Sequence, residues 1–203
     1  MHNDAPTAIL ATLALYELSV FQSTATDAQF APHVRDTVEL SRVSGYALNH
    51  FEALMERIGQ LGGDALALME ERAPSLTAFN ERTQPKDWHE SLMKSYVHDG
   101  LLRDYAKSSL PALDADSKNV ITAVLDDTRR EELLRARLGE LISDQDILGS
   151  RLALWGRKLV VETAKRLTEI VELTTDREHL DAKAWQSALT GHSRRMSAIG
   201  LVA

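Results

Sequence analysis

The chain has 203 residues, 44% of them hydrophobic and 26% charged, with no cysteine and a formal net charge of −7. These values leave room for one domain with a sizeable core, exclude disulfides and thiolate metal sites, and supply no global field that attracts nucleic acid. No uninterrupted apolar run reaches the roughly 18–20 residues of a membrane span, and the N-terminus lacks the basic and cleavage-site pattern of a leader, so a soluble, cytoplasmic, leaderless protein is expected.

Leu, Ala, Arg and Glu dominate, and helical periodicity runs through almost the whole chain. A first helix is predicted from Pro6 to Ser23, followed by a capping box at Thr26 to Gln29. The second helical pattern is strongest from Asp36 to Leu61 and stops at Gly62-Gly63. Residues 62–85 read as a long connection broken by Pro74 and Pro85, with a short helix at its start. Asp87 with Glu90 caps a third long helix that ends before Pro111. A fourth runs from Asp114 or Asp116 to Ile142, a fifth from Ile147 to Leu173, and a last from Asp181 to Gly191 or Ile199. One long crossover between the second and third helices, with short links on either side, is the connectivity of a ferritin-like four-helix bundle. The expected fold is therefore all-α, a single ferritin-like domain over 1–203, with the bundle at 6–142 and additional C-terminal helices at 147–201.

Each bundle helix carries an apolar stripe interrupted near its middle by a polar group. The stripes are Leu10, Leu13, Glu17, Val20, Phe21; Val43, Ala47, His50, Leu54, Ile58, Leu61; Trp88, Leu92, Tyr96, Asp99, Leu102, Ala106; and Val120, Val124, Asp127, Glu131, Leu134, Leu138, Leu141. A carboxylate facing a core is costly unless it is paired or bound to metal. Di-iron and di-manganese bundles take one Glu from each of two helices and a Glu-x-x-His pair from each of the other two. Glu17, His50, Asp99 and Asp127 are the candidate ligands, with Glu131 a possible addition if it turns inward. Ala47 stands three residues before His50 where a Glu belongs, and Arg130 three after Asp127 where a His belongs, so the set is incomplete.

Six stretches together resemble the actinobacterial ferritin-like proteins related to the tRNA hydroxylase MiaE: ALYELSVF at 14–21, HFEAL at 50–54, FNERTQPKDW at 79–88, YVHDG at 96–100, SRLALWGRKL at 150–159 and HSRRMSAIGL at 192–201. The resemblance covers nearly the whole chain. It implies a ferritin-like fold with extra C-terminal helices and, in its catalytic members, a non-haem di-iron centre. That centre uses dioxygen to hydroxylate a modified tRNA nucleoside. It places Glu17, His50, Asp99 and Asp127 at ligand positions and marks Ala47 and Arg130 as departures.

Charge favours a metal-free site. Two divalent ions need about four carboxylates, whereas Glu17, Asp99 and Asp127 supply three and Arg130 adds a permanent cation. The expectation is that ion pairs satisfy the cluster, with Arg130 in a metal's place and no cofactor. A single metal held by Glu17, His50 and Asp127, or an intact two-iron site, are the alternatives. The function expected is a non-catalytic or divergent helical protein that binds a protein or small-molecule partner; a di-iron hydroxylase is the alternative, and iron storage ranks last. Three basic clusters bear on tRNA: Arg129, Arg130, Arg135, Arg137; Arg157, Lys158, Lys165, Arg166; and Arg194, Arg195. Acidic residues interleave them, which favours solvated faces with local ion pairs. His98 is expected to be structural or exposed. The stripe Leu148, Leu152, Trp155, Leu159, Ile170 either packs on the bundle or forms a homodimer interface.

Overall fold

A computed structural model describes residues 5–110, 113–143, 145–174 and 179–203. The described residues form eight helices and no strand: α1 (Ala5–Phe30), α2 (Val34–Gln60), α3 (Ala65–Arg82), α4 (Trp88–Ser109), α5 (Ala115–Asp126), α6 (Arg129–Ile142), α7 (Asp146–Thr174) and α8 (Ala182–Ala198). The all-α expectation holds. The chain divides into two compact units. One comprises Met1–Ala78, Pro111–Asp127 and Thr168–His179; the other comprises Phe79–Leu110, Thr128–Leu167 and Leu180–Ala203.

Several helix ends follow from the local sequence. Asp87, Asp114 and Asp181 cap α4, α5 and α8, each accepting from the backbone N–H three residues on, of Glu90, Ser117 and Ala184. The two Schellman turns fall at glycines in the left-handed region. After α2, Gly62 has φ of 73°, and the N–H groups of Gly62 and Gly63 reach the carbonyls of Gly59 and Ile58. After α8, Gly200 has φ of 78°, and Gly200 and Leu201 reach Ser197 and Met196. The last helix therefore passes through Gly191 and stops at the later of its two expected ends. Leu110 caps α4, as the following proline requires; Pro111 itself lies outside the described residues.

Three expectations are corrected. Helix α1 does not stop at Ser23; it runs on to Phe30, and Thr26 is a helical residue whose hydroxyl donates to the Gln22 carbonyl rather than a cap. Residues 62–85 are mostly helix: α3 spans 18 residues with Pro74 inside it. Met69, Arg72, Leu76 and Phe79 recur along α3 at helical spacing and are all buried, and this outweighs the one hydrogen bond that Pro74 deletes. The fourth expected helix is two, because Asp127 is extended with ψ of 105°. Asp126, Asp127 and Thr128 are residues that prefer helix ends, and Glu131 and Glu132 suit the first turn of a new helix.

In the first unit α1 and α2 pack as a hairpin joined by three residues, and α5 packs on both. Leu10, Ala11 and Ala14 of α1 and Val43, Ala47, Leu54 and Ile58 of α2 are fully buried. By length and mean hydropathy α1 reaches what a membrane span needs, which counting uninterrupted apolar runs did not register. More than half of its apolar stretch is buried within the protein, as in the core helix of a packed domain.

In the second unit α4 packs on α6 and α8. Leu92, Met93, Leu101, Leu134, Leu138 and Leu159 form its core. Two glycines lie at the α4–α8 contact. A Cβ on Gly100 would fall 2.2 Å from Nε of Arg195, and one on Gly191 would fall 2.0 Å from Oδ2 of Asp104. The two missing side chains let Arg195 lie along α4 and donate to Asp104 at 2.6 Å, while Tyr96 donates to the Arg195 carbonyl at 3.1 Å. Burial, helped by the charge of Glu131, pushes the Tyr96 hydroxyl up to about 12. Leu148, Leu152 and Leu159 of α7 are buried and Trp155 donates to the Glu90 carbonyl. The three leucines of this stripe thus pack within the second unit, while Ile170 is half-buried.

Candidate functional site

The four candidate ligands divide two ways. Glu17, His50 and Asp127 meet within the first unit; Asp99 lies in the second with Arg130 and Glu131.

In the first unit α1 presents Glu17, α2 presents His50, and Asp127 caps the end of α5. His50 Nε2 lies 3.0 Å from Oδ2 of Asp127, and Nδ1 lies 3.5 Å from Oε2 of Glu17. Glu17 is 2% exposed. Asp127 sits at a helix C-terminus, where the helix dipole disfavours an anion, so its partner matters. The imidazole meets the two carboxylates on its two different nitrogens. A metal takes one ring nitrogen, so an ion on either side of this ring has one of these carboxylates beside it and the other behind the ring. Among the described residues no group of three His, Asp or Glu side chains is arranged to hold a metal ion. Ala47, one turn before His50, is fully buried and offers only a methyl.

In the second unit Arg130 donates from Nη2 to Oδ1 of Asp99. Arg103, one turn after Asp99 on α4, places Nη1 3.5 Å from Oδ2 of Asp99 and 3.6 Å from Oε2 of Glu131. Asp99, Arg103 and Arg130 are all buried. Two carboxylates thus face two guanidiniums, and the quartet balances its own charge. The sequence reading overlooked Arg103; the signal was its position four residues after Asp99, on the same helical face. Glu131 does turn toward this cluster, half-buried, but its near partner is an arginine.

His98 is buried and structural. Arg166 donates from Nη1 to His98 Nε2 at 2.5 Å, and Nδ1 lies 2.9 Å from the Thr163 hydroxyl. Because a guanidinium can only donate, Nε2 is the acceptor and the ring proton sits on Nδ1. Phe79 stacks on the ring with centroids 4.2 Å apart. Burial, then the charges of Arg166, Lys94 and Arg130, hold this imidazole well below its ordinary range.

Each basic cluster named from the sequence loses a member to the interior. Arg130 pairs with Asp99, Arg166 with His98, and Arg195 with Asp104. Arg129, Arg135, Arg157, Lys158, Lys165 and Arg194 stay exposed.

The model of one protein family, described as a ferritin-like domain of actinomycetes, matches residues 2–183. No curated protein matches the chain.

Proposed function

The chain belongs to the actinomycete ferritin-like domain family, and from that premise we propose that it is a non-catalytic helical binding protein in which ion pairs stand where related bundles hold two metals. The observation that carries this reading is that every candidate ligand already has a protein partner. Asp99 is held by Arg130 and Arg103, and Glu17 and Asp127 flank His50. The residues present do not fit a di-metal centre. Ala47 has no donor, Arg130 cannot lose its proton, and the carboxylates of the first unit sit on opposite nitrogens of one ring. No oxygen chemistry is therefore derived for them. The absence of cysteine suits a cytoplasmic setting.

The MiaE-like resemblance supplies the competing reading, a di-iron hydroxylase of a modified tRNA nucleoside or a small molecule. Its tRNA arm is weakened by the burial of one arginine from each basic cluster. Anaerobic loading with Fe(II), desalting and metal analysis separate the two readings, with Glu17→Ala and His50→Ala as controls. We expect no iron retained above background in any of the three proteins. About two irons per chain, lost in both variants, would overturn the proposal.

A further inference from the structure

We propose that the outer face of α7 docks an acidic amphipathic helix of a partner protein. The inference deepens the binding-protein reading by naming the partner's chemistry. It starts from three side chains that folding leaves uncovered. Ile147, Leu154 and Val161 are 88%, 67% and 55% exposed. They recur every seven residues, so they drift only about 20° per step and form one row about 21 Å long. The inward stripe of the same helix is satisfied, with Leu148, Leu152 and Leu159 buried and Gly156 against Met93 and Met196. The outward row is thus surplus to the fold of its own unit. Isolated exposed apolar residues are ordinary; a row at heptad spacing is the seam against which another helix packs.

The rim of the row says what that helix carries. Asp146 borders Ile147 at the start of α7; from there to Lys165 every exposed charged residue is a cation, Arg157, Lys158 and Lys165, the last already bonded to Glu162. Arg157 and Lys158 flank Leu154 on its two sides, three and four residues on, and the Lys158 ammonium lies 5.0 Å from the Trp155 ring centre. The one carboxylate of this stretch, Glu162, is buried and already bonded to Arg82 at 2.6 Å and Lys165 at 3.0 Å. A partner with Asp or Glu beside its own apolar row meets these cations with opposite charge.

A second copy of the chain fits worse. An antiparallel pairing about Leu154 sets Arg157 against Arg151 of the copy, itself already paired with Asp87 and Glu90, and Lys158 against Ser150, so neither cation gains a carboxylate of α7; a parallel pairing sets each cation against itself. Nucleic acid fits worse too, because the apolar row occupies the strip between the cations where a phosphate backbone would run. A second exposed apolar group among the described residues, Phe30, Val34 and Val38 at the α1–α2 turn, is bordered by the Arg35–Glu39 pair and so names no partner charge.

The test titrates the full chain with two labelled synthetic helices of 21 residues. Both carry Leu at heptad spacing; one has Glu at the flanking positions and the other Lys. We expect saturable binding of the acidic peptide and none of the basic one. Leu154→Ser should weaken binding about tenfold. Arg157→Glu combined with Lys158→Glu should abolish it and remove its salt dependence. These positions are exposed, and unchanged melting curves will show that the variants fold. The proposal is overturned if the acidic peptide does not bind, if both peptides bind equally, or if Leu154→Ser has no effect. It is equally overturned if Leu154 is needed instead for self-association in sedimentation, or for cosedimentation with phosphatidylglycerol vesicles. Iron retention plays no part in this readout, so failure here leaves the metal-free reading to be judged by its own experiment.

Discussion

Arg130 of α6 donates to the carboxylate of Asp99 on α4, and both side chains are buried. A guanidinium is therefore the cation that this buried carboxylate meets. The pair does not have to stabilise the fold, since desolvating two charges offsets much of their attraction. Removing one member is a different matter, because the other is left charged and buried.

Arg130→Ala is expected to destabilise the protein by about 3–5 kcal/mol. Asp99→Leu combined with Arg130→Met should recover most of that loss. Urea unfolding of the two variants beside the parent protein measures both. A single variant as stable as the parent would mean that the pair is solvated.

His50→Leu leaves Glu17 and Asp127 facing a hydrocarbon side chain at pH 7.5. We expect a loss of about 2–4 kcal/mol. Adding Glu17→Gln should restore a substantial part, because the amide needs no counter-charge. With Glu17→Gln alone completing the cycle, losses that simply add would show that His50 and Glu17 are not energetically coupled.

His192 is buried on α8, and burial followed by the charge of Arg195 lowers its pKa from 6.5 to about 4. The folded ring favours the neutral form, so between these values the unfolded chain binds more protons. The stability tied to the neutral ring is complete above about pH 6.5 and is lost as the pH falls toward 4, by at most about 3 kcal/mol. His98 titrates in the same direction. Unfolding of the parent and His192→Gln at pH 7.5 and pH 4.5 should show the steeper loss in the parent. Parallel losses would remove His192 from the acid response.

Local signals carried much of this far. The Asp87–Glu90 cap, the Gly62-Gly63 stop and the apolar stripes were readable because each depends on residues within one or two turns. The joining of α3 through Pro74 was not readable, because the burial of Met69, Leu76 and Phe79 overrides a local penalty. The break at Asp127 was hidden by a stripe that continues in phase on both sides of it. At the candidate site, sequence singled out Glu17, His50, Asp99, Asp127 and Arg130 as a core-facing set. It did not show that they separate into a histidine between two carboxylates and an arginine–carboxylate quartet. Which nitrogen faces which oxygen is a property of side-chain placement, and spacing along a helix does not encode it.

The glycine contact between α4 and α8 has a consequence for how this sequence can change over generations. A methyl at Gly100 would meet the Arg195 guanidinium, and one at Gly191 the Asp104 carboxylate, where they now lie. Both are the far ends of flexible side chains, so alanine at either position requires that end to swing aside, at the expense of the Arg195–Asp104 pair. A lineage that has already lost the pair accepts a side chain at both glycines without that adjustment. Substitutions at these four positions on two helices are therefore coupled in their effects.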